Sequence, residues 1–158
     1  MAEGSRRRLS YTAEGPEQLK AALTAWNDRA CGDGTTCLET YGAVGTWDVT
    51  RVTDFTELLE GLTSFDEDLT GWDTSGVTDM DSTFEGATTF NQPLTFDTSS
   101  VTRMTDGFRG ALVHNRPLPF DTSRVTNTAH MLRSAEAFNQ ALSFEQSREY
   151  GRRHVRTP

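Results

Sequence analysis

The sequence predicts an α/β repeat solenoid of about four 24–25-residue coils, each with a short strand and a short helical turn, behind an N-terminal capping helix. Three observations carry that prediction. An aromatic anchor recurs at Trp47, Trp72, Phe96, Phe120 and Phe144, at steps of 25, 24, 24 and 24 residues, and a period in this range marks a stacked array. After the first four anchors come Asp48, Asp73, Asp97 and Asp121, then Thr or Ser, then Val52, Val77, Val101 and Val125, each followed by Thr. Within each unit, two apolar periodicities alternate.

Residues 1–15 read as a flexible N-terminus, with basic residues but no apolar stretch after them, so no secretory leader is expected there. Residues 16–46 hold the capping helix and a loop. In "PEQLKAALTAWNDRA" Leu19, Ala22, Leu23 and Trp26 share one helical face, and Pro16 suits a first turn. Such a helix would cover the apolar end of the first coil. Residues 47–145 are the repeats. In the second, Val77, Met80, Phe84 and Ala87 fall on one face of a short helix, with Ser75 or Thr78 as its cap and Gly86 near its end. Phe90, Leu94 and Phe96 then follow in even steps around Pro93, which suits an extended segment. Stacking such segments about 4.8 Å apart would make a ribbon of parallel sheet. Residues 146–158 are a basic C-terminal tail in which the repeat is abandoned.

The polar positions repeat as well. Asn91, Asn115 and Asn139 would form a ladder whose amides satisfy the backbone at each turn. Asp48, Asp73, Asp97 and Asp121 are read as turn formers that accept N–H groups from the residues just after them, and not as a calcium row. Three residues depart from the pattern: His114 in a Phe slot, Arg116 for Gln and Thr128 for Met. His114 is read as a partly buried or edge substitution, not a ligand.

The bulk composition bounds function. The 158 residues are 35% hydrophobic with a formal net charge of −8, which argues against a general nucleic-acid binder because phosphate contacts need a basic face. The acidity is local, with ten carboxylates and one basic residue, Arg51, between Asp48 and Asp81. The tail carries Arg148, Arg152, Arg153 and Arg156, candidates for docking onto a partner. An open end of such a stack exposes unpaired backbone, so the C-terminal end is the expected interaction edge. No apolar run is long enough to span a bilayer. Cys31 and Cys37, the only cysteines, are candidates for a disulfide across "CGDGTTC" in an oxidising compartment.

"WDTSGVTDMDSTFEGATTFNQPLTFDTSSVTRM" resembles the repeat of the BspA-like leucine-rich-repeat surface proteins, found also among mycoplasma surface lipoproteins and in microalgae. The leading "LKAALTAW…CLETYGAVGTWDVTRVTDFTELL" resembles the entry segment of the algal members. The resemblance covers roughly residues 17–145. It implies a leucine-rich-repeat-like solenoid, a surface role in adhesion or protein binding, and no catalytic motif.

The residues themselves suggest no enzyme. Their carboxylates lie along rows instead of converging, and His114, His130 and His154 have no ligand spacing with one another or with the cysteines. The expectation is a non-enzymatic protein-binding module without a cofactor or metal, acting in surface recognition or adhesion. The alternative is an accessory subunit docked on a larger intracellular or organellar complex. The location is extracellular or cell-surface if a leader is missing, and intracellular otherwise.

Overall fold

A computed structural model describes residues 11–29 and 34–142. Two α-helices come first. Helix α1, Pro16–Asn27, starts with Pro in its first turn, where a missing N–H costs nothing, and buries Leu19, Ala22 and Leu23. Helix α2, Gly34–Tyr41, stops at Gly42, whose φ of 72° and bond from its N–H to the Leu38 carbonyl (3.0 Å) close the last turn. A single 3₁₀ turn, Val44–Thr46, leads into Trp47.

The first anchor is thus roofed by aromatic rings. Tyr11, Tyr41 and Trp26 lie 4.8, 5.8 and 6.1 Å from the Trp47 ring. Residues 11–13, grouped by sequence with the flexible extension, pair with the first repeat. Thr12 bridges Asp48 in parallel, the Asp48 N–H donates to Tyr11, and the Ala13 N–H donates to Asp48.

The repeats do not form the expected α/β solenoid of leucine-rich-repeat type. Among the described residues the only α-helices precede the first repeat, and no strand forms. The stretch read as a helix through Val77, Met80, Phe84 and Ala87 is a run of turns. Two of its residues, Ser82 (φ 53°) and Gly86 (φ 67°), are left-handed, and an α-helix tolerates none. Its N–H groups therefore alternate in direction. Those of Thr83, Glu85 and Ala87 reach back three residues within the turn, and those of Met80, Ser82, Phe84 and Gly86 donate to Arg103, Thr105, Gly107 and Arg109 of the next repeat. The same four-donor row runs from Phe55, Glu57, Leu59 and Gly61 to Asp79, Asp81, Thr83 and Glu85.

The segment read as a strand, Phe90–Phe96, buries Phe90, Leu94 and Phe96 on one side, but side chains hold its neighbours in place. Pro93 and Pro117 have no N–H to give a ladder. Hydroxyls substitute: Thr95 Oγ1 donates to the Thr70 carbonyl at 3.2 Å, and Thr98 Oγ1 to the Asp121 carbonyl at 3.0 Å. Parallel pairing reduces to isolated bridges at Asp54, Asp79, Arg103 and Asn127.

Left-handed residues recur in two rows. One holds Glu57, Ser82, Asp106 and His130; the other holds Gly61, Gly86 and Gly110 at φ 67–68°, then Ser134 at φ 59°. A side chain in that conformation costs about 1–2 kcal/mol. Ser134→Gly should therefore stabilise the chain by about 1 kcal/mol in urea unfolding, and an unchanged or lower midpoint would count against this account of the row.

One continuous core runs through the stack. Phe55, Phe84 and Phe108 are at most 1% exposed, and the Phe84 and Phe108 rings stack 4.7 Å apart.

Candidate functional site

The most regular surface is the face that carries the Asp row. Asp48 Oδ1 accepts the Thr50 N–H (3.1 Å) and hydroxyl (2.7 Å), and Asp73 Oδ1 accepts both from Ser75 at 3.1 and 2.7 Å. Asp97 and Asp121 accept the N–H groups of Ser99 and Ser123, each at 2.9 Å. These bonds, the Ser or Thr hydroxyl first and the backbone N–H second, hold all four carboxyls below the ordinary value of 3.8. Asp48 and Asp97 oppose that at Asp73, since like charges in register raise its pKa. Each carboxylate is exposed and anchored through Oδ1. A second row, Thr78, Thr102 and Thr126, donates hydroxyls to Thr53, Thr78 and Thr102 carbonyls at 3.1–3.2 Å.

The asparagine ladder joins successive repeats. The Asn115 N–H donates to Asn91 Oδ1 and the Asn139 N–H to Asn115 Oδ1, both at 3.0 Å. Its first rung is Asp66, whose carboxylate accepts the Asn91 N–H at 2.8 Å. Asp66 stands outside the row read from the sequence, Asn91, Asn115 and Asn139, although its position after Phe65, like that of Asn91 after Phe90, marks the same slot. Asn91→Ala should cost about 1 kcal/mol by leaving the half-buried Asn115 N–H without its acceptor, measured by thermal unfolding; no loss would mean solvent replaces the amide.

His114 is fully buried, not an edge substitution. It fills the ring position of a column made by Phe65, Phe90 and Phe138, stacked at 5.7 Å on Phe90 and 6.2 Å below Phe138, with Phe108 4.9 Å to its side. Among the described residues neither ring nitrogen reaches a partner with full hydrogen-bond geometry. Burial pushes its pKa down from 6.5 to about 4; the Phe90 backbone, as a weak hydrogen-bond acceptor, opposes that shift, the Arg116 cation adds to it, and Asp66 opposes it.

Charge pairing links the second and third repeats. Arg103 bonds Asp81 through Nε (2.8 Å) and through Nη2, and lies 3.5 Å from Asp79. Arg109 bonds Glu85 at 2.7 Å. Asp81, largely buried, also accepts the Thr105 N–H at 2.7 Å.

Cys37 is buried and disulfide-bonded. Cys31, the only other cysteine of the sequence, lies outside the described residues, as do Phe144, Arg148, Arg152, Arg153 and Arg156. Among the described residues no three His, Cys, Asp or Glu side chains gather as a metal site, and no helix is long and apolar enough to cross a membrane.

Residues 31–146 match the model of a family described as a Mycoplasma protein of unknown function, DUF285. The chain belongs to the DUF285 family. The match takes in every repeat and the segment that enters them, so the DUF285 unit in this chain corresponds to the turn-built stack with its Asp, Thr and Asn rows. No curated protein and no solved structure matches the chain.

Proposed function

We propose that this DUF285 chain is a non-enzymatic protein-binding module that acts in surface recognition or adhesion, in the manner of the BspA-like proteins its repeat resembles. The observation that carries this reading is the exposed row Asp48, Asp73, Asp97 and Asp121, each carboxylate fixed by its own Ser or Thr. Groups already held in register lose little conformational freedom on binding, which favours recognition of a repeating or extended partner surface. The row spreads its charge along the stack and converges on no enclosed point, the opposite of what acid–base chemistry needs.

The test is affinity capture with the full chain beside Asp73→Asn/Asp97→Asn, which keeps the Oδ1 acceptors and removes two charges. The expected result is one dominant partner whose recovery falls at least about fivefold with the variant. Equal recovery by both chains would remove the Asp face from the reading.

A further inference from the structure

The backbone ladder stops at the fourth repeat on its donor side. Met104, Asp106, Phe108 and Gly110 donate their N–H groups to Asn127, Ala129, Met131 and Arg133 at 2.8–2.9 Å. The matching N–H groups of the fourth repeat belong to Thr128, His130, Leu132 and Ser134, and none meets an acceptor among the described residues. His130 and Ser134 are exposed, and Thr128 and Leu132 are half-buried. Four donors two residues apart make an edge that an extended chain can satisfy with its carbonyls.

The charge around that edge selects the chain. Arg124 and Arg133 are exposed and form no ion pair among the described residues, whereas Arg103 and Arg109 of the previous repeat each hold a carboxylate. Between Arg124 and Leu142 the one carboxylate in the sequence is Glu136. Two guanidiniums without a carboxylate partner among the described residues therefore flank the edge, whose His130 lies 3.8 Å from Asp106.

We infer that this edge binds an extended acidic segment of a partner protein. The segment adds one more row to the stack, accepting the four N–H bonds and setting carboxylates against Arg124 and Arg133. The chain's own residues 143–158 fit poorly as occupant, because Arg148, Arg152, Arg153 and Arg156 would meet like charge. A second copy would have to bring its first repeat up to this edge beside its own α1, which Lys20 ties to Glu57 and Asn27 Oδ1 ties to the Ser64 N–H. Arg124 adjoins the Asp121 turn, but the four donors lie in the fourth repeat and the capture variant changes only Asp73 and Asp97, so either reading can fail alone.

The chain supplies its own probe. A synthetic peptide with the sequence of residues 77–86, VTDMDSTFEG, carries three carboxylates and the carbonyls of Asp79, Asp81, Thr83 and Glu85, which accept this four-donor pattern from the first repeat. Amide exchange of the full chain would be followed by NMR with and without the peptide. The expected result is fast exchange at residues 128, 130, 132 and 134 in the free chain and at least about tenfold slowing at saturating peptide. That slowing should be lost with the Asp79→Lys/Asp81→Lys/Glu85→Lys peptide and reduced in the Arg124→Glu/Arg133→Glu chain. Slow exchange in the free chain would overturn the inference by showing the edge already closed by the tail or, if dependent on protein concentration, by a second copy. Fast exchange at millimolar peptide would overturn it too, as would equal protection by the charge-reversed peptide. Any of these alongside charge-dependent capture through Asp73 and Asp97 would leave the binding reading intact and remove only the edge.

Discussion

His114→Phe is expected to give a chain more stable than the parent at neutral pH, with the difference widening as the solution is acidified to about pH 4. In the folded chain the imidazole sits in a column of phenylalanines with no well-formed hydrogen bond among the described residues, and its pKa is about 4 against an ordinary 6.5. Between those values the unfolded chain holds a proton that the folded chain does not, so unfolding takes up a proton there and stability rises with pH. The parent's full stability is present above 6.5 and is lost progressively as the pH falls to about 4. The whole effect is up to about 3 kcal/mol at 1.36 kcal/mol per tenfold. Below that window His114 adds no further slope.

Phenylalanine restores the ring of the neighbouring repeats and cannot be protonated. Removing a buried polar ring that makes no well-formed hydrogen bond among the described residues should add about 1 kcal/mol at neutral pH. The acid loss below 3.8 should persist in both chains, since Asp48, Asp73, Asp97 and Asp121 have folded pKa values below that ordinary one. Their contribution is present above 3.8 and is lost as the pH falls through the lowered values. Urea unfolding at half-unit steps from about pH 2 to 8 separates the two windows. A His114→Phe chain that keeps the parent's slope between pH 4 and 6.5 would assign that slope to other groups.

Gly71→Ala is expected to destabilise the chain by about 3 kcal/mol or more, the upper end of the cost of overpacking. A Cβ built on Gly71 would overlap the carbonyl oxygen of Gly45, and one built on Gly45 would lie 2.6 Å from the carbonyl oxygen of Asp68. In both cases the obstacle is backbone, which cannot swing aside as a side chain can. The contact lies beside the junction where Trp72 Nε1 donates to the Val44 carbonyl at 2.8 Å. Separating the strands of chain there would loosen that bond and the Trp47 roof together. Gly76→Ala is the control, since the nearest atoms to its Cβ stand at 3.9 Å. Equal midpoints for the two variants in thermal unfolding would show that the junction relaxes freely.

Much of the molecule is legible from residues alone. The 24–25-residue period locates the buried anchors, because Trp47, Trp72, Phe96 and Phe120 all lie at most 4% exposed. Helix α1 follows from the spacing of Leu19, Ala22 and Leu23 and from Pro16. The Asp row is local chemistry, since an Asp two residues before Ser or Thr can close a turn whatever surrounds it, and the Asn ladder, whose bonds run from repeat to repeat, follows from the period.

The secondary structure of the repeats was not legible in the same way. Val77, Met80, Phe84 and Ala87 have helical spacing, yet that spacing records only which side chains face inward. What separates a helix from a run of turns is the destination of each N–H, and the Met80, Ser82, Phe84 and Gly86 donors go to a repeat 23 residues further along the chain. Ser82 holds a left-handed φ of 53° while its own N–H donates to Thr105 of the next repeat and the carbonyls on either side of it, Asp81 and Thr83, accept from Glu57 and Leu59 of the previous one. The same holds for His114: its slot in the period marks it as unusual, but only the rings packed above, below and beside it make it a buried, neutral imidazole. Sequence by itself determined the period, the apolar columns and the turn-forming rows, since these rest on residue type and short-range geometry. Tertiary structure alone decided that the repeats are turns and not strands and helices, and that their last row of N–H groups meets no acceptor among the described residues, because both depend on hydrogen bonds between residues a full repeat apart.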